Sequence, residues 1–341
     1  MSAPAAAVED FFWRDGERIV VFRRGALARA PELLAEQGWE RFDLLSTERA
    51  LAEAPPGLRA VGATHLVPDG GVPEAAAAII GEVRGEDIVA LGGGRVIDTA
   101  KAIAAARGGR VAAIPTTLSG AEMTRIHRLP PGHEGRALVR PALVLADPEA
   151  MTSQPEERLR ASAMNALAHG ADSLCTPFAN PVSTMAALRG AELLAQALDE
   201  DRDQRGKDDR AALALASLLS AYALDSALFA LHHVVCQTIV RICGTAHAET
   251  NAAMLPLTLT ALAERAPERL GPLAAALGTD LDGLAARIVE LAGGSRTLSE
   301  LGAARTCLDD VLEAALARAE LQLMPKPPDR EQLRELLDRA W

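Results

Sequence analysis

A short apolar run that leads through three consecutive glycines into a helix constrains the fold of this chain more than any other feature. The segment reads DIVALGGGRVIDTAKAIA and covers residues 87–104. A buried strand that turns directly into a helix is the unit from which parallel sheets with crossover helices are built. We therefore expect an open α/β sheet in this half of the chain.

The first 150 residues repeat the same alternation of strand and helix. Runs rich in β-branched residues predict strands, and runs with helical periodicity predict crossover helices. The predicted strands are residues 18–22, 42–45, 60–67, 87–91, 111–114 and 142–145, and the predicted helices are 26–37, 72–83 and 96–107. Beyond residue 150 almost every segment has helical periodicity. We predict an α/β Rossmann-like dinucleotide-binding domain in residues 1–150 and an all-helical substrate domain in residues 151–341.

Charge and hydropathy exclude two classes of partner. The chain has 35 Lys and Arg against 46 Asp and Glu, for a formal net charge of -11, so it lacks the basic surface that nucleic acid requires. No positive and apolar leader is present, and apolar runs such as residues 212–224 are shorter than the roughly 20 residues of a membrane span. These features predict a cytoplasmic protein that binds neither nucleic acid nor membrane.

The four cysteines show no CxxC spacing and lie in apolar surroundings. They are Cys175, Cys236, Cys243 and Cys307. Such a pattern is typical of reduced, buried thiols rather than of a disulfide framework or a zinc ribbon. We expect no disulfide.

The glycine-rich turn is a candidate phosphate site. Glycines let the backbone approach a pyrophosphate, and the helix that follows supplies unpaired N–H groups and a favourable dipole. A tight connection without a ligand is the alternative, because the segment is not the GxGxxG of the ordinary Rossmann fingerprint. The candidate cofactor-binding residues here are Gly92, Gly93, Gly94, Arg95, Asp98 and Lys101.

A second candidate loop follows the next predicted strand. Residues 113–124 read AIPTTLSGAEMT and place the hydroxyls of Thr116, Thr117 and Ser119 around a glycine. Hydroxyls at the carboxyl end of a strand suit a ligand in the crevice of an open α/β sheet. A capped turn into the next element is the alternative.

A polar constellation lies in the predicted helical half. Asn165 and His169 are four residues apart in RLRASAMNALAHGADSL, so on a helix they share one face. His233 and His247 lie in LHHVVCQTIVRICGTAHAET, where a helix followed by a turn can return the second imidazole to the first. A histidine on an apolar helix is often only a satisfied core residue.

Together these motifs resemble a known superfamily. GGGxxxDxAKxIA followed by PTTxxxxEMT is similar to the cofactor loop and the nicotinamide-side loop of the iron-containing alcohol dehydrogenases, which include glycerol dehydrogenase and, more distantly, dehydroquinate synthase. The segments NALAH, LHHVVC, HAETNAAMLP and GGSRTLSELG, with the terminal PKPPDREQLRELLDRAW, resemble the maleylacetate reductase branch. The resemblance implies a dehydroquinate synthase-like fold, an NADH or NADPH cofactor and a homodimer.

The resemblance also bears on metal binding. In metal-dependent relatives the four ligands are one Asp and three His, and the matching positions here hold Asn165, His169, His233 and His247. A neutral amide in place of the only anionic ligand removes the charge that offsets desolvation of a divalent ion. We expect no metal, and the alternative is a zinc ion on three imidazoles.

The implied reaction is reduction of the carbon–carbon double bond of maleylacetate to give 3-oxoadipate. An enone accepts hydride when hydrogen bonds polarise its carbonyl, so no metal is required. The three histidines are assigned to binding the anionic substrate and delivering a proton, and Asn165 is assigned as a donor. Arg125 and Arg241 are candidates to pair with the two carboxylates.

Several residues depart from the family pattern. Gln237 stands where relatives usually carry another histidine, and an amide cannot act as a general acid near neutral pH. Arg95 follows the three glycines in place of a small residue, and Arg23 replaces a glycine of the first turn. No acidic residue near residues 45–47 selects NADH over NADPH. The alternatives are a metal-dependent alcohol dehydrogenase or aldehyde reductase, an enzyme for another unsaturated acid, and a non-redox anion-binding protein.

Overall fold

One sheet of seven strands forms the N-terminal half of the fold. The structure is a computed structural model that describes residues 11–199 and 206–341. The sheet has the order β1-β2-β7-β6-β5-β3-β4, and every neighbouring pair is parallel except β1 and β2. The strands are β1 (Phe11–Asp15), β2 (Arg18–Phe22), β3 (Asp43–Ser46), β4 (Thr64–Leu66), β5 (Asp87–Gly92), β6 (Arg110–Pro115) and β7 (Leu143–Ala146).

Helices cover both faces of this sheet because its central strands are apolar on both sides. Along β5, Ile88 and Ala90 join one buried cluster while Val89 and Leu91 join the other, as the period of two in a strand requires. The first cluster includes side chains of α4 and α5, and the second includes side chains of α1 and α3. The helices are α1 (Ala30–Glu36), α2 (Glu48–Ala52), α3 (Pro56–Arg59), α4 (Val72–Ile79), α5 (Gly94–Arg107) and α6 (Pro148–Met151).

The C-terminal half contains helices and no strand among its described residues. The α-helices are α7 (Glu156–Leu174), α8 (Pro181–Asp199), α9 (Lys207–Ala227), α10 (Leu231–Cys243), α11 (His247–Arg265), α12 (Pro267–Ala276), α13 (Leu284–Ala292), α14 (Leu308–Leu316) and α15 (Arg330–Ala340). Two 3₁₀ turns, Arg305–Cys307 and Ala319–Leu323, connect the last of them.

Small residues let the long helices of this half approach closely. A Cβ atom on Gly190 of α8 would lie 2.6 Å from the Ser220 hydroxyl and 3.1 Å from the Ala216 carbonyl, both on α9. Gly170 of α7 faces Ala187 of α8 at 3.5 Å. A larger side chain at Gly190 would therefore separate the helix pair, and the alanine-rich composition has a direct packing role.

The chain divides into two compact units between Gln154 and Pro155. The predicted boundary at residue 150 falls four residues earlier, inside α6. Within residues 11–199 and 206–341, no single helix is long and apolar enough to cross a membrane. One pair of helices has the length and apolar composition of a membrane span only when the two are taken together. The pair is Asp208–Ala227 and Leu231–Cys243, and it is bent by 100°.

The prediction that the chain contains no disulfide is wrong. Cys243 and Cys307 form a disulfide across 64 residues of sequence. Cys243 is the last residue of α10, and Cys307 ends the 3₁₀ turn that leads into α14, which packs on α10. The pairing of these helices brings the thiols together, and cysteine spacing carries no information about that pairing. Cys175 and Cys236 are buried free thiols, as predicted.

Candidate functional site

The glycine-rich turn and the hydroxyl loop lie against each other. A Cβ atom on Gly93 would lie 3.0 Å from Cγ2 of Thr117, and one on Gly94 would lie 3.0 Å from Cβ of Ser119. Gly93 is the N-cap of α5 and has no side chain that could cap the first N–H groups of this helix of 14 residues. Of these groups, the N–H of Val96 donates to the Gly93 carbonyl at 3.0 Å. The two loops therefore form one polar cradle at the carboxyl ends of β5 and β6, which we call the phosphate cradle.

The cradle fits a dinucleotide pyrophosphate. The glycines let the backbone come close, the uncapped helix N-terminus donates N–H groups along a favourable dipole, and the hydroxyls of Thr117 and Ser119 stand beside them. The backbone N–H of Thr116 donates to the carbonyl of Gly92 at 3.0 Å, which joins the two strand ends. The arrangement agrees with the cofactor-binding role predicted for these residues, and that role stays a prediction.

Lys101 holds the hydroxyl loop in place. Its side chain is fully buried, and Nζ donates to the carbonyls of Ala121, Thr124 and Ile126 at 2.9, 2.9 and 3.0 Å. The carboxylate of Asp98 lies 2.7 Å from the same nitrogen. The ammonium thus has four oxygen partners inside the protein, so the contacts described here are structural. A direct contact of Lys101 or Asp98 with the cofactor stays a prediction.

The two predicted arginines of this half lie at its surface. Arg95 donates to the carbonyl of Pro68 and pairs with the exposed Asp69 at 3.1 Å, which ties its guanidinium to the turn after β4. Arg125 is exposed. The roles predicted for Arg95 at a phosphate and for Arg125 at a substrate carboxylate stay predictions.

Glu122 is a buried carboxyl group that the sequence analysis did not single out. Burial raises its pKa to about 7, while the hydroxyl of Ser119 lies at 3.5 Å from Oε2. No hydrogen-bond partner of Oε1 is found among the described residues. The sequence did offer a signal for Glu122, which stands between the loop hydroxyls and Met123. An acid in an apolar segment needs a specific reason.

Three polar side chains meet in the helical half. Asn165 and His169 lie on one face of α7, and Nδ2 of the amide is 3.5 Å from Nε2 of the imidazole. His233 of α10 stacks on His169, with 4.8 Å between ring centroids and 22° between ring planes. All three are buried. The predicted convergence of Asn165, His169 and His233 is thus present, and we call these residues the histidine cluster.

Three buried atoms of the histidine cluster have no hydrogen-bond partner within the described residues. They are Oδ1 of Asn165, Nδ1 of His169 and Nε2 of His233. Buried polar atoms are almost always paired, so several orphans in one place point to a ligand that completes them. The cluster is therefore the candidate substrate site.

Asp172 sets the orientation of His233, and the sequence analysis missed it. Its carboxylate accepts hydrogen bonds from the backbone N–H groups of His232 and His233 at 3.2 and 2.9 Å, and from Nδ1 of His233 at 2.9 Å. Because Nδ1 carries the proton, Nε2 of neutral His233 presents a lone pair. The signal in the sequence was an acid one turn after His169, in the buried C-terminal part of α7.

Burial keeps the imidazoles neutral. It lowers the pKa of His233 to about 3 and the pKa of His169 well below 6.5, and neighbouring histidines add to both shifts. Burial raises the pKa of Asp172, and the N–H groups of His232 and His233 oppose that rise. Because all three donors point at its oxygens, the ionised form of Asp172 fits the geometry.

The remaining predicted residues of this half lie on α10 and α11, and Arg241 among them is exposed. His247 begins α11 and is exposed, and its charge contributes to the lowered pKa values of His169 and His233. Gln237 follows His233 by one helical turn and accepts a hydrogen bond from Arg318 at 3.0 Å. Arg318 lies 81 residues away in sequence, and no sequence signal distinguished it from the many other arginines.

Family models match both halves of the chain. The model of the iron-containing alcohol dehydrogenases matches residues 18–148, and the model of the C-terminal part of the Fe-containing alcohol dehydrogenase family matches residues 160–341. The maleylacetate reductase 2 of Cupriavidus pinatubonensis is 33% identical over 342 residues, which cover 94% of both chains. The chain belongs to the maleylacetate reductase branch of the iron-containing alcohol dehydrogenase family.

Further relatives support the same family membership. The maleylacetate reductase of Pseudomonas knackmussii is 32% identical over 94% of this chain and 95% of its own length. The crystal structure of maleylacetate reductase from Agrobacterium tumefaciens superposes with a TM-score of 0.80 at 29% identity, covering 100% of this chain and 97% of that one. The predicted family and fold class are confirmed, and the chain is an oxidoreductase of an NAD(P)-dependent family.

The family name implies a metal, and the residues present do not fit one. The described residues contain no group of three His, Cys, Asp or Glu side chains that could hold a metal ion. Asn165 adds no negative charge to offset the desolvation of a cation.

His232, in contrast to His169 and His233, is a purely structural histidine. It is fully buried beside His233, but Nδ1 lies 2.7 Å from the hydroxyl of Thr258 and Nε2 lies 2.8 Å from Oδ1 of Asn251. Both ring nitrogens are satisfied, so His232 is a core residue with no capacity left for a ligand.

Proposed function

We propose that this enzyme uses NADH or NADPH to reduce the carbon–carbon double bond of a small unsaturated oxo-acid, with maleylacetate as substrate and 3-oxoadipate as product, and that it needs no metal. One observation carries the proposal. The buried histidine cluster is neutral, is unsuited to a cation, and has unpaired donor and acceptor atoms. Relatives whose names state this activity cover nearly the whole chain.

The phosphate cradle supports the cofactor part of the proposal. Bound NADH or NADPH would supply the hydride. In this chain the uncapped N-terminus of α5 would hold the pyrophosphate, with Thr117 and Ser119 beside it. Lys101 fixes the loop that carries Ser119 through its contacts with three carbonyls.

The two stacked imidazoles offer one donor and one acceptor. An amide nitrogen can only donate, so Nδ2 of Asn165 donates to Nε2 of His169, and Nδ1 of His169 carries a proton. Nδ1–H of His169 is then a buried donor without a partner, while Nε2 of His233 is a buried acceptor. A neutral imidazole can polarise a carbonyl by donating a hydrogen bond.

The Nδ1–H donor of His169 matches the negative charge that develops during reduction of an enone. Hydride addition to the alkene places negative charge on the conjugated carbonyl oxygen, and a preorganised N–H donor stabilises that oxyanion in a site that excludes water. We assign this donor role to His169. His247 is exposed, and we assign to it delivery of the proton to the carbon next to the carbonyl.

Product analysis tests the proposal most simply. Purified enzyme is mixed with maleylacetate and either NADH or NADPH, and nicotinamide absorbance and the organic product are followed together. We expect cofactor oxidation matched by equal formation of 3-oxoadipate. A hydroxy acid as product would mean that the carbonyl is reduced instead, which would contradict the proposal and favour an alcohol dehydrogenase. Absence of turnover with both cofactors would contradict it as well.

A further inference from the structure

A half-buried arginine, Arg318, lies beside the histidine cluster and has no role in the proposed hydride and proton transfers. The side chain of Arg318 is 18% exposed. Its Nη1 donates to Oε1 of Gln237 at 3.0 Å, and its Nε and Nη2 donate to the carboxylate of Glu320 at 3.3 and 3.0 Å. The guanidinium is thus held from two sides in one orientation.

Contacts through Phe229 and Gln237 connect this arginine to His233. The Phe229 ring lies 6.0 Å from the His233 ring, and Cζ of Arg318 lies 5.5 Å from the centre of the same phenyl ring. Gln237 is on the same face of α10 as His233, about 6 Å further along the helix axis. The positive charge of Arg318 also contributes to the lowered pKa of His233, after burial and His247.

The guanidinium has hydrogen-bonding capacity left. Three of its five N–H groups are used by Gln237 and Glu320, and the other two have no partner among the described residues. Gln237 accepts without adding charge, so Glu320, whose side chain is 38% exposed, is the one anion that the structure pairs with this guanidinium. A guanidinium with two unused donors in one plane suits an oxyanion such as a carboxylate.

We propose that Arg318 binds a carboxylate of the substrate and that Gln237 is the residue that positions it. The inference rests on the proposed reduction of an unsaturated oxo-diacid. The keto group would lie at His169 and His233, and one carboxylate would lie one helical turn away at Arg318. Arg318 then determines specificity, because a substrate without that carboxylate leaves a half-buried guanidinium unpaired.

A structural ion pair between Arg318 and Glu320 is the competing explanation, and substrate selectivity separates the two. Arg318→Met is compared with Arg330→Met, which removes an exposed arginine paired with Glu313 in the same half. Each enzyme is assayed with maleylacetate and with its monomethyl esters. Losing a charged hydrogen bond to substrate raises KM for the diacid by about 10- to 100-fold in the Arg318 variant, with the ester that lacks the bound carboxylate little affected. Arg330→Met matches the wild type.

Gln237→Leu provides a second variant that keeps the arginine. We expect a rise in KM for the diacid in the same direction, by about 3- to 10-fold, since the guanidinium loses one of its two supports. Equal losses on diacid and monoesters in both variants would overturn the proposal and leave Arg318 as a structural residue. So would an unchanged KM for the diacid in a folded Arg318→Met protein.

Binding of a diacid that cannot be reduced separates this proposal from the proposed reaction. Calorimetry with adipate and with its monomethyl ester, at saturating oxidised cofactor, needs no turnover. Weaker binding of adipate to Arg318→Met, with unchanged binding of the ester, supports the carboxylate site even if maleylacetate is not reduced. Equal binding of adipate to the wild type and Arg318→Met contradicts the site even if maleylacetate is reduced.

Discussion

At the scale of residues, the candidate substrate site depends on one buried carboxylate. Asp172 is fully buried and accepts two backbone N–H groups and Nδ1 of His233. These bonds offset the cost of removing a charge from water, and they fix the tautomer and the ring orientation of His233. Nε2, on the other side of the His233 ring, is left without a hydrogen-bond partner among the described residues.

Asp172→Asn tests this dependence. An amide replaces one acceptor oxygen with an N–H₂ group that faces donors, so we expect the free energy of unfolding to fall by about 2–4 kcal/mol. The exposed Asp309 pairs with Arg334 in the same half of the chain, and Asp309→Asn serves as the control. Urea denaturation of both variants checks the prediction. An Asp172→Asn variant that is as stable as the Asp309→Asn control would show that Asp172 carries no buried charge.

At the scale of elements, α10 adds His233 to the two cluster residues of α7 and is anchored at both ends. Its first turn holds His233 against Asp172, and its last residue, Cys243, is bonded to Cys307. Leu228 takes a positive φ of 62° in the sharp turn before α10, a conformation that costs energy for a residue with a side chain. The helix that carries His233 is therefore constrained by its surroundings on either side.

Removing the disulfide tests the anchor at the C-terminal end of α10. Closing a loop of this length stabilises a protein by roughly 2–4 kcal/mol, so the double variant Cys243→Ser, Cys307→Ser should unfold at lower urea concentration. The wild type in dithiothreitol should match the variant, and dithiothreitol should leave the variant unchanged. A wild type that is insensitive to reductant, with an unchanged variant, would show that the cysteines are not bonded in solution.

The sequence predicted those elements whose signal is local. The strand at residues 18–22 has the predicted bounds, and the glycine turn begins α5 where the apolar run of β5 ends. The predicted strand at residues 60–67 is shorter, because Pro56–Arg59 forms a helix and only Thr64–Leu66 pairs with β3. β1 was missed, since it pairs with β2 through a tight turn at Gly16, with φ of 61°, rather than through apolar periodicity.

The candidate site was predictable where helix spacing or resemblance connects its residues. The spacing of Asn165 and His169 was enough to place them together, and resemblance added His233. Asp172 was visible as an acid in the buried C-terminal part of α7 but was not singled out. Arg318 and the Cys243–Cys307 pair depend on contacts between distant helices, which periodicity and spacing do not encode.

At the scale of the whole molecule, buried titratable groups link stability to pH. The pKa values of His232 and His233 are lowered to about 3 and that of His127 to about 4, with burial as the largest cause. Below the ordinary value of 6.5 the unfolded chain binds more protons than the folded one, so these histidines make stability fall as pH drops towards 3. Glu122 acts in the opposite sense: its pKa is raised from 4.5 to about 7, and its contribution falls as pH rises through that window.

Glu122→Gln isolates the second effect. The variant side chain cannot ionise. Between pH 5 and pH 8 the free energy of unfolding of the wild type should therefore fall by about 2–3 kcal/mol relative to that of the variant. Glu53→Gln, at an exposed position, should follow the wild type at every pH. Urea denaturation at a series of pH values gives the comparison. Parallel pH profiles for Glu122→Gln and the wild type would contradict a raised pKa of Glu122.

We propose that the histidine cluster acts as a neutral hydrogen-bonding site without a metal ion. The most direct test is the rate of maleylacetate reduction by chelator-treated enzyme as zinc or ferrous iron is added back from zero to several equivalents, with bound metal measured in each sample. We expect full activity at zero metal and a rate that does not rise with added metal. A rate that is absent in stripped enzyme and rises to a plateau at one equivalent of bound metal would contradict it.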